Sequence, residues 1–387
     1  MQFSKQLIHD TSESSTDSVD ESFLSLLAIS FLPGIGPVLA RQLISYCGSP
    51  EAVFRTKRHL LERIPGIGRE RAATILRSNV RQQADRELAF ILRNEIKLLP
   101  YFDKCYPQRL RPFDDAPLLL YVKGNGKLNA ERTLAIVGTR FMTDNGRSLA
   151  ERLIQELLPY KVTVISGLAY GVDITAHRES LRVGLPTFGV VAHGLDRLYP
   201  SAHQQIAEKM LEHGGIISEF PAGVKPDRDN FPARNRIVAG MTDATIVVES
   251  AEKGGALITA EFANDYNKDV FAFPGRPDDR YSRGCNKLIG LHKAQLIENA
   301  EQLAACMNWK LSESGAAGRQ TQLQLPMECS PQEEKLLRYL QNSGNVHLDQ
   351  IAWECSEPVS KVSALLLQLE FKGLVKTGPG KMFKLSG

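Results

Sequence analysis

No CxxC pair occurs in the chain, and no cysteine is matched with a nearby histidine at metal-ligand spacing. The six cysteines (Cys47, Cys105, Cys285, Cys306, Cys329 and Cys355) are scattered. That usage predicts reduced thiols in a cytoplasmic protein, with no disulfide framework and no zinc. No stretch reaches the ~18 consecutive apolar residues of a membrane helix, so no membrane association is expected. Residues 1–22 have no apolar h-region and are rich in Ser, Thr, Asp and Glu, which reads as a disordered tail and not a signal peptide. Positive charge is also in short supply. The net charge is +3, so a site for a polyanion must come from local clustering. No GxGxxG follows any strand pattern, which argues against a dinucleotide oxidoreductase. No clustered Asp/Glu set is present to hold two metal ions, which argues against a nuclease. No cofactor is expected.

What is present is an alternation. Between Arg132 and Ile297, RTLAIVGTR, KVTVISG, TFGVVAHG, GGIISEF, DATIVVES and DVFAFPG are short apolar β-branched runs, separated by helical patterns. This predicts βαβ units around a parallel sheet buried on both faces. Ligands of such sheets bind at the carboxyl ends of the strands. The loops there carry Gly138-Thr139-Arg140, Ser166-Gly167, Gly194, Arg234-Asn235-Arg236 and Lys253-Gly254-Gly255. Glycines admit a ligand to the backbone, helix starts offer amides and arginines offer forked donors, which together suit phosphate oxygens. In SGLAYGVDITAH, Asp173 and His177 lie four residues apart on one predicted helix face. We read them as a helix-capping aspartate and a buried, hydrogen-bonded histidine, because no nucleophile or metal partner converges on them.

Before this core, residues 23–94 contain an internal repeat. Leu32-Pro33-Gly34-Ile35-Gly36 and Ile64-Pro65-Gly66-Ile67-Gly68 each precede a helical pattern, as in helix-hairpin-helix modules. The hairpin amides suit either a nucleic-acid phosphate or simple compact docking on protein. Residues 98–127 read as a connector of turns with one strand, LLLYVKG, at an edge of the sheet. Residues 310–329 read as a linker. Residues 330–387 show three helical patterns and a hairpin around Gly378-Pro379-Gly380, the order of a winged helix. Its third helix carries few basic residues, so DNA and protein both remain open as its partner.

AIVGTR, ISGLAYGVDITAH, GLDRLYP, FPARNRIVAGM, GGALITAEFA and PGRPDDRYSRGCNKLI together resemble the DNA processing protein A family (DprA, also called Smf) over nearly the whole chain. The resemblance implies an α/β fold with a Rossmann-like core at residues 98–309, flanked by a SAM-like helix-hairpin-helix domain and a winged helix. It implies a non-enzymatic homodimer that binds single-stranded DNA without regard to sequence, protects it during natural transformation and loads the RecA recombinase. It places the DNA site at Arg140, Ser166, Gly167, Arg234, Asn235, Arg236, Gly255 and Lys287. Relatives often carry a basic residue after the Tyr-Pro pair, where this chain has Ser201, with His203 close by. Among aromatics, Phe231 is the candidate for base stacking. The competing reading is a nucleoside-monophosphate glycoside hydrolase, with Glu261 of GGALITAE as acid or base.

Overall fold

The computed structural model describes residues 16–310, 330–355 and 357–385. The expected linker at 310–329 falls almost wholly outside them, as do residues 1–15 of the expected tail. Residues 16–22 of that tail belong to a helix. The N-terminal unit is helical: α1 (Thr16–Ser30), α2 (Pro37–Cys47), α3 (Pro50–Arg55), α4 (Arg58–Leu61), α5 (Arg69–Arg77) and α6 (Val80–Arg93). In both hairpins the first glycine has a positive φ, +71° at Gly34 and +80° at Gly66. The second, Gly36 or Gly68, is the residue before the helix and supplies no side-chain cap. The turn therefore depends on backbone that only glycine adopts readily.

The central unit contains β1 (Lys97–Pro100), β2 (Leu119–Lys123), β3 (Thr133–Val137), α7 (Asp144–Leu157), β4 (Thr163–Ser166), α8 (Val172–Val183), β5 (Thr187–Val190), α9 (Gln204–His213) and β6 (Gly215–Ser218). It continues with α10 (Asn230–Gly240), β7 (Ala244–Val247), α11 (Gly255–Asp265), β8 (Asp269–Ala272), α12 (Arg283–Gly290), β9 (Gln295–Leu296) and α13 (Ala300–Cys306). The sheet order is β1-β2-β6-β5-β4-β3-β7-β8-β9. The seven strands from β6 to β9 are parallel, while β1 and β2 are antiparallel. LLLYVKG is thus second from the edge, and β1 lies outside it. Every residue of β3, β4, β5, β6 and β7 is buried, as a sheet covered on both faces requires. Helix α7 shows how the cover forms. Thr143 caps it by accepting from the Gly146 amide, and Ala150, Leu153, Ile154 and Leu157 form its buried stripe. Each such leucine or isoleucine contributes about 1.5–3 kcal/mol by leaving water.

Successive strands run outward in one direction from β3 through β4, β5 and β6, and in the other through β7, β8 and β9. The reversal falls between β3 and β7, where a crevice must open at the strands' carboxyl ends.

The C-terminal unit is a winged helix: α14 (Pro331–Ser343), β10 (Val346–His347), α15 (Leu348–Cys355), α16 (Val359–Phe371), β11 (Val375–Gly378) and β12 (Met382–Leu385). Ser330 and Glu333 form a capping box at the start of α14.

The stretch between β1 and β2 joins all three units. Arg41 of α2 donates to the carbonyls of Phe113 (3.2 Å) and Ala116 (2.7 Å). Arg109 pairs with Asp243, just before β7. Arg111 is fully buried and donates to Gln350 of α15 and to the Asp103 carbonyl. Phe102 stacks on Trp353 with ring centroids 4.1 Å apart. The helical unit is also tied to the sheet unit through Glu87, whose carboxylate accepts from the Ala222 amide at 3.0 Å. These ties bear on the hairpins: Arg41 is committed internally, and Arg71 donates to the carbonyl of its own hairpin's Gly66 at 2.7 Å.

Candidate nucleic-acid interface

The loops after β3, β4 and β7, with the start of α10, enclose a cleft of about 540 Å³ at the reversal point. Arg140, Gly167, Arg234, Asn235 and Gly255 all line it. Arg140 is exposed and has no ion pair among the described residues. Its guanidinium lies over the Phe231 ring, 5.2 Å from the centroid, which orients it while leaving its donors open. Gly255 opens α11 with nothing within 4 Å of where a side chain would start, so a ligand can reach the first turn of that helix. Asn235 donates to the Gly255 carbonyl at 3.3 Å and accepts from Arg234 Nε at 3.1 Å, linking α10 to α11 across the cleft.

Arg234 forms the cleft floor. It is 6% exposed and donates to the Val190 carbonyl at the end of β5. Burial pushes its pKa down, against the pull of Asp173. Burial likewise pushes the Asp173 carboxyl up, opposed by Arg234 and by the Ala169 amide that donates to it. A Cβ on Gly167 would lie 2.4 Å from Asp173 Oδ2 and 2.5 Å from Arg234 Nη1. A side chain here would therefore have to displace the Asp173 carboxylate and the Arg234 guanidinium. Asp173 is not a helix cap; Gly171 occupies that place and Asp173 faces the arginine.

Three expected site residues, Ser166, Arg236 and Lys287, lie outside the cleft. Ser166 is fully buried, and its hydroxyl donates to the Ile136 carbonyl at 2.6 Å, cross-bracing β3 and β4. As the last residue of a strand covered on both faces, it does not reach the cleft. Arg236 pairs with Glu219 and donates to the Asp115 carbonyl at 2.7 Å. It is a mostly covered, paired cation and does not line the cleft. Lys287 lines a neighbouring groove, 3.5 Å from Glu252.

His177 is fully buried, as read from sequence. Its Nε2 donates to the Gly167 carbonyl at 2.6 Å, and its Nδ1 faces the Thr187 hydroxyl at 2.7 Å. Burial is the main cause that brings its pKa down to about 4. An unfolded histidine titrates near 6.5, so between these values the unfolded chain binds a proton that the folded chain excludes. Stability contributed by neutral His177 is present above pH ~6.5 and is lost as the pH falls towards about 4, by about 3 kcal/mol. The raised Asp173 carboxyl works in the opposite direction, so the comparison needed is between the native chain and His177→Gln. Urea titrations at several pH values should show the steeper acid loss in the native chain; parallel pH profiles would contradict the assignment.

Three aromatic residues at the cleft were not singled out from sequence. Phe141 is 74% exposed, Tyr170 50% and Tyr199 46%. Tyr170, Tyr199 and Phe231, with Arg140, His193 and Arg234, line a smaller recess opening beside the cleft. Their sequence signal was position: Phe141 follows Arg140 directly, and Tyr170 directly precedes the turn glycine, Gly171. His203 does not replace the basic residue absent at Ser201, because it is buried and bonded to the Leu168 carbonyl at 3.0 Å. Glu261 does not line the cleft; it sits exposed on α11, 3.5 Å from Lys293. No group of three or more metal-ligating side chains occurs among the described residues. No described helix is long and apolar enough to cross a membrane.

Comparison with known proteins places this geometry in context. A family model described as DNA recombination-mediator protein A matches residues 97–308. A DprA winged helix domain matches 320–381, and a SAM-like helix-hairpin-helix tandem matches 23–78. Protein Smf of Synechocystis sp. is 33% identical, with 92% of this chain and 97% of that protein covered. DNA processing protein DprA of Streptococcus pneumoniae is 38% identical, with 55% of this chain and 76% of that protein covered. The crystal structure of S. pneumoniae DprA superposes with a TM-score of 0.60 at 30% identity, covering 72% of this chain and 95% of that one. A Helicobacter pylori DprA structure, described for its single-stranded DNA binding mode, gives 0.50 at 28% identity, covering 55% and 96%.

Proposed function

The chain belongs to the DNA recombination-mediator protein A family, and from that premise we propose that it binds single-stranded DNA without regard to sequence and delivers it to a RecA-type recombinase during natural transformation. The observation that carries the DNA reading is Arg140: an exposed guanidinium with no ion pair among the described residues, steadied on Phe231 at the rim of a cleft. Gly167, Arg234, Asn235 and Gly255 complete that site in the proposal. Phosphate oxygens meet Arg140 and the opened start of α11, while Arg234 sets a positive floor. The rings of Phe141, Tyr170 and Tyr199 offer faces to unpaired bases, and every base has such a face. A duplex keeps its bases stacked inside and gains nothing from those rings, so preference for single strands follows.

The role is mediation without catalysis, and no arrangement at the cleft favours the hydrolase reading. The placement of Glu261 beside Lys293, outside the cleft, removes its proposed acid or base from the substrate position. Self-association belongs to the same proposal. It is supported by Leu291 and Leu296, 57% and 42% exposed at the β9 edge of the sheet.

The test is a mobility shift with single- and double-stranded DNA of equal length, repeated over a salt series. Single strands should bind more tightly, with log K falling against log salt at about −0.7 per neutralised phosphate. Equal affinity for duplex, or a flat salt dependence, would remove the proposal.

A further inference from the structure

Beside the cleft lies a second, open groove of about 790 Å³ that the proposed function leaves unused. It is lined by Glu252, Gly275, Pro277, Arg283, Asn286 and Lys287. The two concavities share a wall. Ala251, Lys253, Arg280 and Tyr281 face the cleft, whereas Glu252 and Arg283, next to them in the chain, face the groove. The wall is rigid: the Ser250 amide donates to the Tyr281 carbonyl at 2.7 Å, and the Gly284 amide donates to the Ser250 carbonyl at 2.9 Å. A Cβ on Gly284 would lie 2.5 Å from the Ala251 carbonyl oxygen, so the two segments touch backbone to backbone.

The charge along this wall is unbalanced. Lys253, Arg276, Arg280 and Arg283 are all exposed, and none forms an ion pair among the described residues. Arg280 lies over the Tyr281 ring at 5.6 Å. Asp278 and Asp279 lie between these arginines and offset part of the charge, but neither forms an ion pair among the described residues, and the Asp279 carboxylate accepts from the Tyr281 amide (3.1 Å) and the Ser282 hydroxyl (2.9 Å). Glu252 is the one acid lining the groove among the described residues, and its contact with Lys287 is long and solvent-exposed, which makes it weak. Guanidinium groups left open on a rigid ridge do not stabilise the fold, but they match the spacing-tolerant, forked recognition of phosphates.

We infer that the groove takes the phosphates of nucleotides leaving the cleft, so that one strand runs from Arg140 over the Arg280–Tyr281 crest to Arg276, Arg283 and Lys287. This rests on the proposed DNA reading and extends its footprint. The test is fluorescence anisotropy of the full chain with oligothymidylates of about 6 and about 20 nucleotides, bracketing a one-module footprint. The double variant Arg276→Ala/Arg283→Ala should bind the short oligomer like the native chain and the long one about three- to tenfold more weakly. Its salt slope on the long oligomer should fall by about 1.4, two phosphates at about 0.7 each. Native affinity for the long oligomer would overturn the groove assignment, as would equal losses on both lengths. Arg140→Ala, run alongside, should lose both oligomers; if it loses neither while the double variant still loses the long one, the cleft reading fails and the groove stands alone.

Discussion

Arg140→Ala is expected to weaken single-stranded DNA binding by about 1.5–3 kcal/mol, roughly ten- to over a hundredfold. The side chain is exposed and holds no carboxylate among the described residues, so none of these is left unpaired when it goes. Its loss removes a charged donor from the cleft rim and exposes the face of Phe231. The salt slope should decrease by about 0.7, while the urea midpoint should hold to within about 0.5 kcal/mol of stability. Arg140→Lys should fall between the two, because an ammonium keeps the charge but not the fork or the stacking. Filter-binding titrations at two salt concentrations, beside a denaturation curve, would decide the matter. Native affinity in the alanine variant would withdraw Arg140 from the site.

Arg236→Ala should do the reverse. Arg236 and Glu219 are mostly withdrawn from solvent, their side chains 12% and 13% exposed, and burial already raises the Glu219 carboxyl while Arg236 restrains it. Glu219 Oε1 has no hydrogen-bond partner among the described residues. Removing the guanidinium leaves a buried carboxylate uncompensated, at a cost of about 3–5 kcal/mol. The folded fraction should still bind DNA normally. Replacing both partners, as in Arg236→Met/Glu219→Leu, should recover much of the stability, since an apolar pair leaves no orphaned charge. A stable Arg236→Ala protein that has lost DNA affinity would return Arg236 to the interface.

The contrast between Arg234 and Arg236 shows what was legible in the sequence. FPARNRIVAGM marks a helix entry rich in arginine, and α10 starts there. At about 100° per residue, positions two apart point about 200° apart, so the triplet cannot aim both arginines at one ligand. That constraint was present in the sequence, and the structure applies it: Arg234 underlies the cleft and Arg236 goes to Glu219. Ser166 failed for a similar reason. It ends a run buried on both faces, and the first cleft residue is the next one, Gly167. The strands from β3 to β8 were readable because each is a short apolar run between helical patterns. β1 was not, because four residues ending in proline give little periodicity, and its pairing with β2 comes from tertiary structure. Strand order was also hidden. No local pattern says that β7 lies against β3, yet that pairing creates the crevice.

The connector, with its turn-forming prolines, has a consequence for the whole molecule. Within a dozen residues it receives Arg41 from the helical unit, sends Arg109 to the sheet and Arg111 to the winged helix. Both outer modules are therefore moored to one short keel. Tilting either outer module bears on the same short stretch, from Phe102 to Ala116, so the attitude of one is felt at the other.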